Sequence, residues 1–472
     1  MLLNAGYTFP INGNQFTRLK LYFRALLRQD DSLRLLLLPS YLRRYVELNN
    51  TASAVLQTDD MNCFYRAFVT IPDAAHVFKK LCIPALFIDG TFSKTHSYGG
   101  VLIPIVAADG SGGNIQIGIA WVPTESVEHF VFVLLSLRAA GIDIESIPIF
   151  TDRGHILGAA KVLLDRYNIK ISIKYCLEHI NRNLAHIFDL KASNPETATV
   201  RNLVGDMQNA RSVGSFISAC ENIINLRPED GVDIVRYLVE GIHPRHWCVF
   251  GNLASYPDSE WHEDYCTFYA GLIRRDSLSW NEFNTRHLKD EIPFGIKMPL
   301  YGFCRTNRVE SACSWLAHHN IRSSPPAVAI SMWLQVAKET IERYFEVVER
   351  TDGVSLLSVG ARLFRDGKEK SSRCTKSRTY IYDNDFCASI NSRQGATTTE
   401  HIVKVAQHNG QPVIKCCCFY SDMYAYPCAH VHCLLQHDYE LVRRLCRNAT
   451  ESLSHSQYVR SLLNPSWAVP FV

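Results

Sequence analysis

Long hydrophobic runs are missing from this chain of 472 residues: no window holds 18 consecutive apolar side chains, and the leucine-rich stretch Leu33–Leu38 ends at Pro39. A membrane span is therefore not expected. The start, Met1 to Pro10, has neither the basic end nor the apolar stretch of a signal peptide. A charge of one sign is missing too, since 49 lysines and arginines face 46 aspartates and glutamates for a net +3. Bulk electrostatics thus announce no polyanionic partner, although a local basic face can be masked by acids elsewhere. No repeat of 20–50 residues and no low-complexity tract is visible, which excludes solenoids and arrays. A chain that is 47% hydrophobic and 20% charged is not wholesale disordered, and its length suits two to four domains. Cysteine is the residue in excess, at 16. With a soluble, reducing, intracellular location expected, these thiols should be buried, metal-bound or free, and not a disulfide scaffold.

Residues 1–75 read as an N-terminal region with helices over Phe16–Leu27 and Ser32–Leu48, then a strand over Asp59–Val69. Short apolar runs at Ile83–Ile88, Val101–Ala108 and Asn114–Val122 predict three antiparallel strands, with Pro104 placing the second at an edge or a bulge. Gly110-Ser111-Gly112-Gly113 lacks the lysine of a phosphate cradle and reads as a turn between strands. A helix over Glu125–Ala140, a strand over Ile147–Thr151, a helix over Ile156–Tyr167, a strand over Ile169–Tyr175 and a helix over Cys176–Phe188 complete an α/β unit with a mixed sheet over 76–189. Residues 190–304 lose the strand signal, with helices over Arg201–Leu226 and Val232–Ile242 among many aromatics. Helices over Val309–His319 and Ala327–Val348 fall in 305–350, a polar linker over 351–395, and a hairpin around His408-Asn409-Gly410 in a small module over 396–440, before a helical tail over 441–472.

Two aspartates end apolar strands: Asp89 before Gly90, and Asp152 two residues before Gly154. Strand-end acids sit on the carboxyl rim of an α/β sheet, where sites form, but aspartate is also a common turn former. Glu310 lies near the start of a helix that Thr306 could cap. Carboxylates gathered on a rim repel one another unless a cation lies between them, and hard oxygen donors suit Mg²⁺. Cys176 and His179 have the C-x2-H spacing of half a zinc site, without a matching pair nearby in sequence. Trp247 could stack on a base or pack in a core.

The densest signal is Cys416-Cys417-Cys418 followed by Cys428-Ala429-His430. Five of the 16 cysteines fall within Cys416–Cys433, where roughly 0.6 would be expected by chance. Residues two apart in a strand share a side, so Cys416 and Cys418 can face one ion while Cys417 points away. With Cys428 and His430 they make a Cys3His set that suits a closed, structural zinc site, with His432 and Cys433 as alternative donors.

These pieces together resemble a Mutator-like element (MULE) transposase of the DDE superfamily. The likeness rests on Phe87-Ile88-Asp89-Gly90-Thr91-Phe92, Trp121-Val122-Pro123-Thr124-Glu125-Ser126, Phe150-Thr151-Asp152-Arg153-Gly154, Cys176-Leu177-Glu178-His179-Ile180-Asn181-Arg182-Asn183 and Thr306-Asn307-Arg308-Val309-Glu310-Ser311, in the family's order. The tail is similar to a SWIM zinc finger, whose C-x-C, spacer, C-x-H pattern is met by Cys416, Cys418, Cys428 and His430. The resemblance implies an RNase H-like fold interrupted by an all-helical insertion, with 305–350 completing the core. It implies a nuclear, DNA-bound enzyme that cuts double-stranded DNA at terminal inverted repeats and joins 3′ ends to target DNA. Asp89, Asp152 and Glu310 would be the catalytic acids and the holders of Mg²⁺ or Mn²⁺, and a homo-oligomer would assemble on paired ends. Cys176 and His179 match a family motif, and Arg153 and Trp247 are candidate DNA contacts. Family members often carry an N-terminal zinc-binding DNA-recognition domain, whose Cys/His spacing residues 1–75 lack. Two other readings are a domesticated DNA-binding regulator like the FAR-RED-impaired group, with catalysis lost, and a zinc-dependent interaction protein.

Overall fold

The computed structural model describes residues 35–445 apart from 96–97, 110–112, 192, 255, 289–293, 304–306, 350–357, 382–385, 395–396, 409–410, 421–422 and 424–426. The expected helix Phe16–Leu27, the cap at Thr306, the turn at Gly110–Gly112 and the tail beyond Leu445 lie outside these residues.

Helix α1 spans 35–48. Strands β1 (Ala54–Thr58) and β2 (Phe64–Thr70) follow as an antiparallel hairpin. One strand is expected over Asp59–Val69, but Asp59 instead starts the turn, its carboxylate accepting the Met61 and Cys63 N–H groups at 3.0 and 2.8 Å. Then come α2 (Ala74–Leu81), β3 (Cys82–Ile88), β4 (Thr91–Phe92), β5 (Val101–Asp109), β6 (Asn114–Val122), α3 (Val127–Ala139), β7 (Pro148–Thr151), α4 (Ile156–Tyr167), β8 (Ser172–Tyr175) and α5 (Leu177–Ile187).

Among the described residues, eight strands form one mixed sheet in the order β1-β2-β6-β5-β3-β7-β8, with β4 on β5. Strands β1 to β6 pair antiparallel, whereas β3–β7 and β7–β8 are parallel. The boundary expected at residue 75 does not hold, because β2 pairs with β6 through Ala67 and Trp121 and so belongs to this sheet. Pro104 is not at an edge: β5 lies between β6 and β3, and a register shift at Ile105/Val106 gives the proline its bulge.

The stretch after α5 has no strand among its described residues and is built from α6 (Pro195–Asn209), α7 (Val213–Leu226), α8 (Gly231–Gly241), α9 (Ser259–Ile273) and the short α10 (Trp280–Phe283) joined by irregular segments. One helix is expected over Arg201–Leu226, but two form, because Ser212 and Ser215 make a reciprocal capping box that starts α7. Next, α11 (Asn307–His318) lies across β5 and also meets β3 and β6, while α12 (Pro326–Glu349) meets β6. With helices on it, β5 is buried along its whole length, which explains its unbroken apolar run.

Lys174 on β8 joins the helical stretch to the sheet. Its fully buried ammonium donates to the Arg245 and Ile296 carbonyls at 2.8 and 2.7 Å and to Asn252 Oδ1 at 2.6 Å. Burial holds its pKa well below the usual lysine value, and the Arg245 charge adds to this. Lys174→Met would strand three acceptors, two on the segment from Arg245 to Asn252 and one at Ile296, and is expected to lower unfolding free energy by about 3 kcal/mol in urea.

The C-terminal part has its own core. It comprises α13 (Ser358–Ser371), a four-stranded sheet in the order β12 (Gln411–Cys416), β11 (Thr397–His408), β10 (Phe386–Gln394), β9 (Cys374–Ile381), and α14 (Ala429–Leu445). The linker expected over 351–395 is thus largely folded, and supplies a helix and two strands. Phe386, Ala388 and Ile390 on β10 alternate inward against Val431, Leu434 and Leu435 of α14. No helix of the described residues is long and apolar enough to cross a membrane.

Candidate functional site

Two parallel strands bring the first acids together. Phe87 on β3 pairs with Phe150 on β7, and Asp89 and Asp152 each stand two residues further on, at the same rim. The paired rings stack at 5.1 Å, and Phe303 packs edge-on against both at 5.0 and 5.9 Å. The acids therefore rest on a rigid apolar floor. The Gly90 N–H donates to Asp89 Oδ1 at 2.8 Å, and the Gly154 N–H to Asp152 Oδ1 at 3.1 Å.

Helix α5 reaches all of the site. His179 Nε2 lies 4.0 Å from Asp89 Oδ2, and the Cys176 thiol beside the ring is the main influence raising the His179 pKa. Cys176 and His179 are thus neighbours against the acid rim, with no further Cys or His joining them in a metal-binding group among the described residues. One turn on, Arg182 holds Glu310 of α11 at 2.8 Å, with Glu178 at 3.9 Å on its other side. Arg308 fixes the start of α11 by donating to Asn114 Oδ1 at 2.9 Å and lying 4.9 Å from the Phe303 ring. Cys313 on α11 is influenced by both Asp89 and Glu310, so the three acids share one region although Glu310 comes from a distant part of the chain. The ligand atoms of Asp89, Asp152 and Glu310 do not all lie within 4.8 Å of one another, and Glu310 is turned to Arg182.

A fourth carboxylate joins them, which spacing alone did not single out. Glu125, just before α3, reaches so close to Gly90 that any Cβ there would collide with its Oε1. Burial raises its pKa and the neighbouring Asp152 raises it further. Its signal in the sequence is Gly90 itself, a glycine next to an acid at a strand end where a side chain cannot fit.

Burial, then the charges of Asp152 and Glu125, push the Asp89 pKa up to about 6, outweighing the opposing pull of His179 and the Gly90 N–H. Asp89, 18% exposed, is thus more basic when folded than an unfolded aspartate near 3.9. Its stabilising protonation is complete below about pH 4 and lost as the pH rises through about 6. His179, also raised, acts in the same direction. Without added divalent cation, the melting temperature should fall between pH 5 and 7.5, and Asp89→Asn should shrink that fall; an equal fall in both proteins would contradict it.

The two candidate DNA contacts are occupied differently. Trp247 is 1% exposed and packs edge-on against Phe216, so it is a core residue and cannot stack on a base. Arg153 donates to the Gly241 carbonyl and lies 5.8 Å from the Tyr175 ring, tying the acid rim to α8.

In the C-terminal part, the donor atoms of Cys416, Cys418, Cys428 and His430 all lie within 4.8 Å of one another. His430 Nδ1 is 3.5 Å from Cys416 Sγ and 3.7 Å from Cys428 Sγ. A tetrahedral shell with Zn–S bonds of about 2.3 Å has edges of about 3.8 Å, so three thiols and an imidazole at these separations fit zinc. Hydrogen bonds from Cys416 and then Cys428 hold the Cys418 thiol well below its ordinary range. The Val431 N–H points at Cys428 Sγ at 3.5 Å, and His401 stacks on His430 at 3.8 Å. Cys417 faces away, toward His401 at 3.8 Å. His432 abuts Gly367 of α13 and Cys433 lies in the core, so neither joins the group.

No protein-family model matches the chain, and no curated protein matches it.

Proposed function

We propose that the protein is a DNA strand-transfer enzyme of the Mutator-like transposase kind, acting at the rim that carries Asp89, Asp152 and Glu310. The observation that carries this reading is the pairing of Phe87 with Phe150, which sets Asp89 and Asp152 side by side on adjacent parallel strands. The order β6-β5-β3-β7-β8, three antiparallel strands followed by two parallel ones, supports an RNase H-like core with the α6–α10 stretch as its insertion.

Asp89 and Asp152 would hold Mg²⁺ or Mn²⁺, with Glu310 completing the shell on leaving Arg182. Asp89, with Asp152 and Glu125 beside it raising its pKa, belongs to a group of carboxylates whose mutual repulsion a divalent cation would offset. Bound there, the cations supply polarisation of a phosphodiester and activation of a water or a 3′-hydroxyl. The chain's own contribution is placement: the aromatic floor fixes both aspartates, His179 restrains Asp89, and Arg182 keeps Glu310 at the rim. The C-terminal Cys3His group would hold a structural zinc of the SWIM kind. Double-stranded DNA, a homo-oligomer on paired ends and a nuclear location complete the reading.

The test is Mg²⁺-dependent nicking, by purified protein, of a plasmid carrying the DNA that flanks the gene. Wild type should cut and Asp152→Asn should not. Equal cutting by both would sink the acid assignment, and DNA binding without any cutting would favour the FAR-RED-impaired-like regulator.

A further inference from the structure

The C-terminal sheet has one face covered and one open. Helix α14 packs on all four of its strands, and the inward set includes Phe386, Ala388, Ile390, Val403 and Val405. Lys376, also inward, is neutralised by Asp438 of α14 at 2.7 Å. The opposite face follows from the strand register. At one end Tyr380, Cys387, Lys404 and Lys415 form a row across the four strands. Next come Arg378, Ser389 and Ile402, then Thr375, Asn391 and Glu400. At the far end Arg393 sits opposite Thr398, and its N–H donates to the Arg373 carbonyl at 3.1 Å.

This face is basic where the chain as a whole is nearly neutral. Arg373, Arg378, Arg393, Lys404 and Lys415 are all exposed on it, and Glu400 is its acid among the described residues. Glu400 is itself engaged by the Ser389 hydroxyl and lies near Arg378. Lys404 stands directly opposite Lys415, and Arg393 beside Arg373. Between the cations the face carries hydroxyl and amide groups, and Ser372, Thr375, Asn391 and Thr398 line a shallow concavity of about 610 Å³ with Arg373 and Arg393. Arginine and lysine mixed with serine, threonine and asparagine is the donor set that positions phosphodiester backbones.

We infer that this open sheet face binds the sugar-phosphate backbone of double-stranded DNA. From Cys387 to Arg393 the face runs six residues along β10, about 20 Å at roughly 3.3 Å per residue. Its two cationic ends can therefore meet phosphates on both sides of a major groove about 12 Å wide. Tyr380 is the single aromatic in these rows, so the face has no ladder of rings for stacking the bases of a single strand. The contact reads no sequence, and supplies affinity and register. It rests on the DNA partner named above but not on the chemistry of the acids.

The experiment uses the full, zinc-bound chain without Mg²⁺, so that binding is read apart from cutting. Fluorescence anisotropy with a labelled 30-base-pair duplex compares wild type with Arg373→Glu/Arg378→Glu/Lys404→Glu. Lys161→Glu/Arg166→Glu/Lys170→Glu, with the same charge change in and just after α4, is the control. The face variant should bind at least tenfold more weakly at 100 mM salt. Its log Kd against log salt slope should lose about 0.9 for each phosphate contact removed. The α4 control should match wild type. Zinc content reports folding, and Arg373→Gln/Arg378→Gln/Lys404→Gln serves if the reversed variant fails to fold. An unchanged Kd and slope in the face variant overturns the inference, as does tighter wild-type binding to single-stranded DNA or to polyglutamate than to duplex. Duplex binding by wild type with no Mg²⁺-dependent cutting in the separate plasmid assay would dismiss only the acid site.

Discussion

Asp152→Asn is expected to lower Mg²⁺-dependent strand cutting by on the order of 10⁴-fold, the scale seen when a member of a concerted catalytic set is removed. The fold should survive it. Asp152 is a partly exposed residue at the end of a short strand, and its contact with the Gly154 N–H is kept by the amide oxygen of asparagine. Stability without cation should even rise slightly, because the substitution removes the second-largest influence that raises the Asp89 pKa. The two readouts therefore move in opposite directions, which simple unfolding would not produce. The same pair of measurements separates the roles around the rim. Glu310→Gln loses a carboxylate and the charge of its 2.8 Å contact with Arg182, and should cut poorly with little change in melting. Glu125→Gln keeps the side chain's shape and removes its charge from beside Asp152 and Asp89, and its effect on cutting reports whether the fourth carboxylate takes part. A variant in which cutting and melting temperature fall together would point to structural damage.

What was legible in the sequence follows from how local each signal is. The strand-end placement of Asp89 and Asp152 is legible because each follows an apolar run whose strand is short and buried. The Cys3His group was visible because its donors come in two close pairs. Glu125 escaped because only the third dimension brings it to Gly90. The α6–α7 break was missed because helical periodicity continues across Ala210–Ser212, and two serines carry the decision. The first half of the second sheet reads as a linker for a physical reason. Its outer rows are arginine, threonine and serine, so the segment looks solvated, and only Phe386, Ala388 and Ile390 betray an inner face. The charge that disguised the strand is the same charge that makes its open face a candidate for DNA. Trp247 stays open between a base contact and a core residue in sequence, because a tryptophan beside histidine and arginine looks the same in either role, and its burial decides for the core.

Cys428→Ser is expected to abolish stoichiometric zinc and to lower the melting of the C-terminal unit by on the order of 10 °C, with the α/β sheet transition left in place. The expectation comes from where the four donors sit. Cys416 ends β12, Cys418 follows it, and Cys428 and His430 open α14, so one ion would join the edge of the sheet to the helix that covers it. The core beneath is small, a dozen buried side chains of which Cys374, Cys416, Cys428 and Cys433 are four. Such a core supplies little stability alone, whereas a structural zinc contributes about 10–16 kcal/mol of binding free energy in small domains. Serine at 428 also leaves Cys416 and Cys418 crowded in one pocket without an ion to share, so the loss exceeds that of a single ligand bond. Cys417→Ser is the matched control: that thiol faces His401 and the Ile402 N–H outside the group, and its replacement should keep zinc. Calorimetry with metal analysis decides the matter, and full zinc in Cys428→Ser would show that the ligands are misassigned. If zinc loss also removes duplex binding while the acid rim keeps its pH-dependent melting, the metal shapes the DNA-binding face and not the chemistry. The dependence would then run from ion to sheet to DNA, in the order the contacts are built.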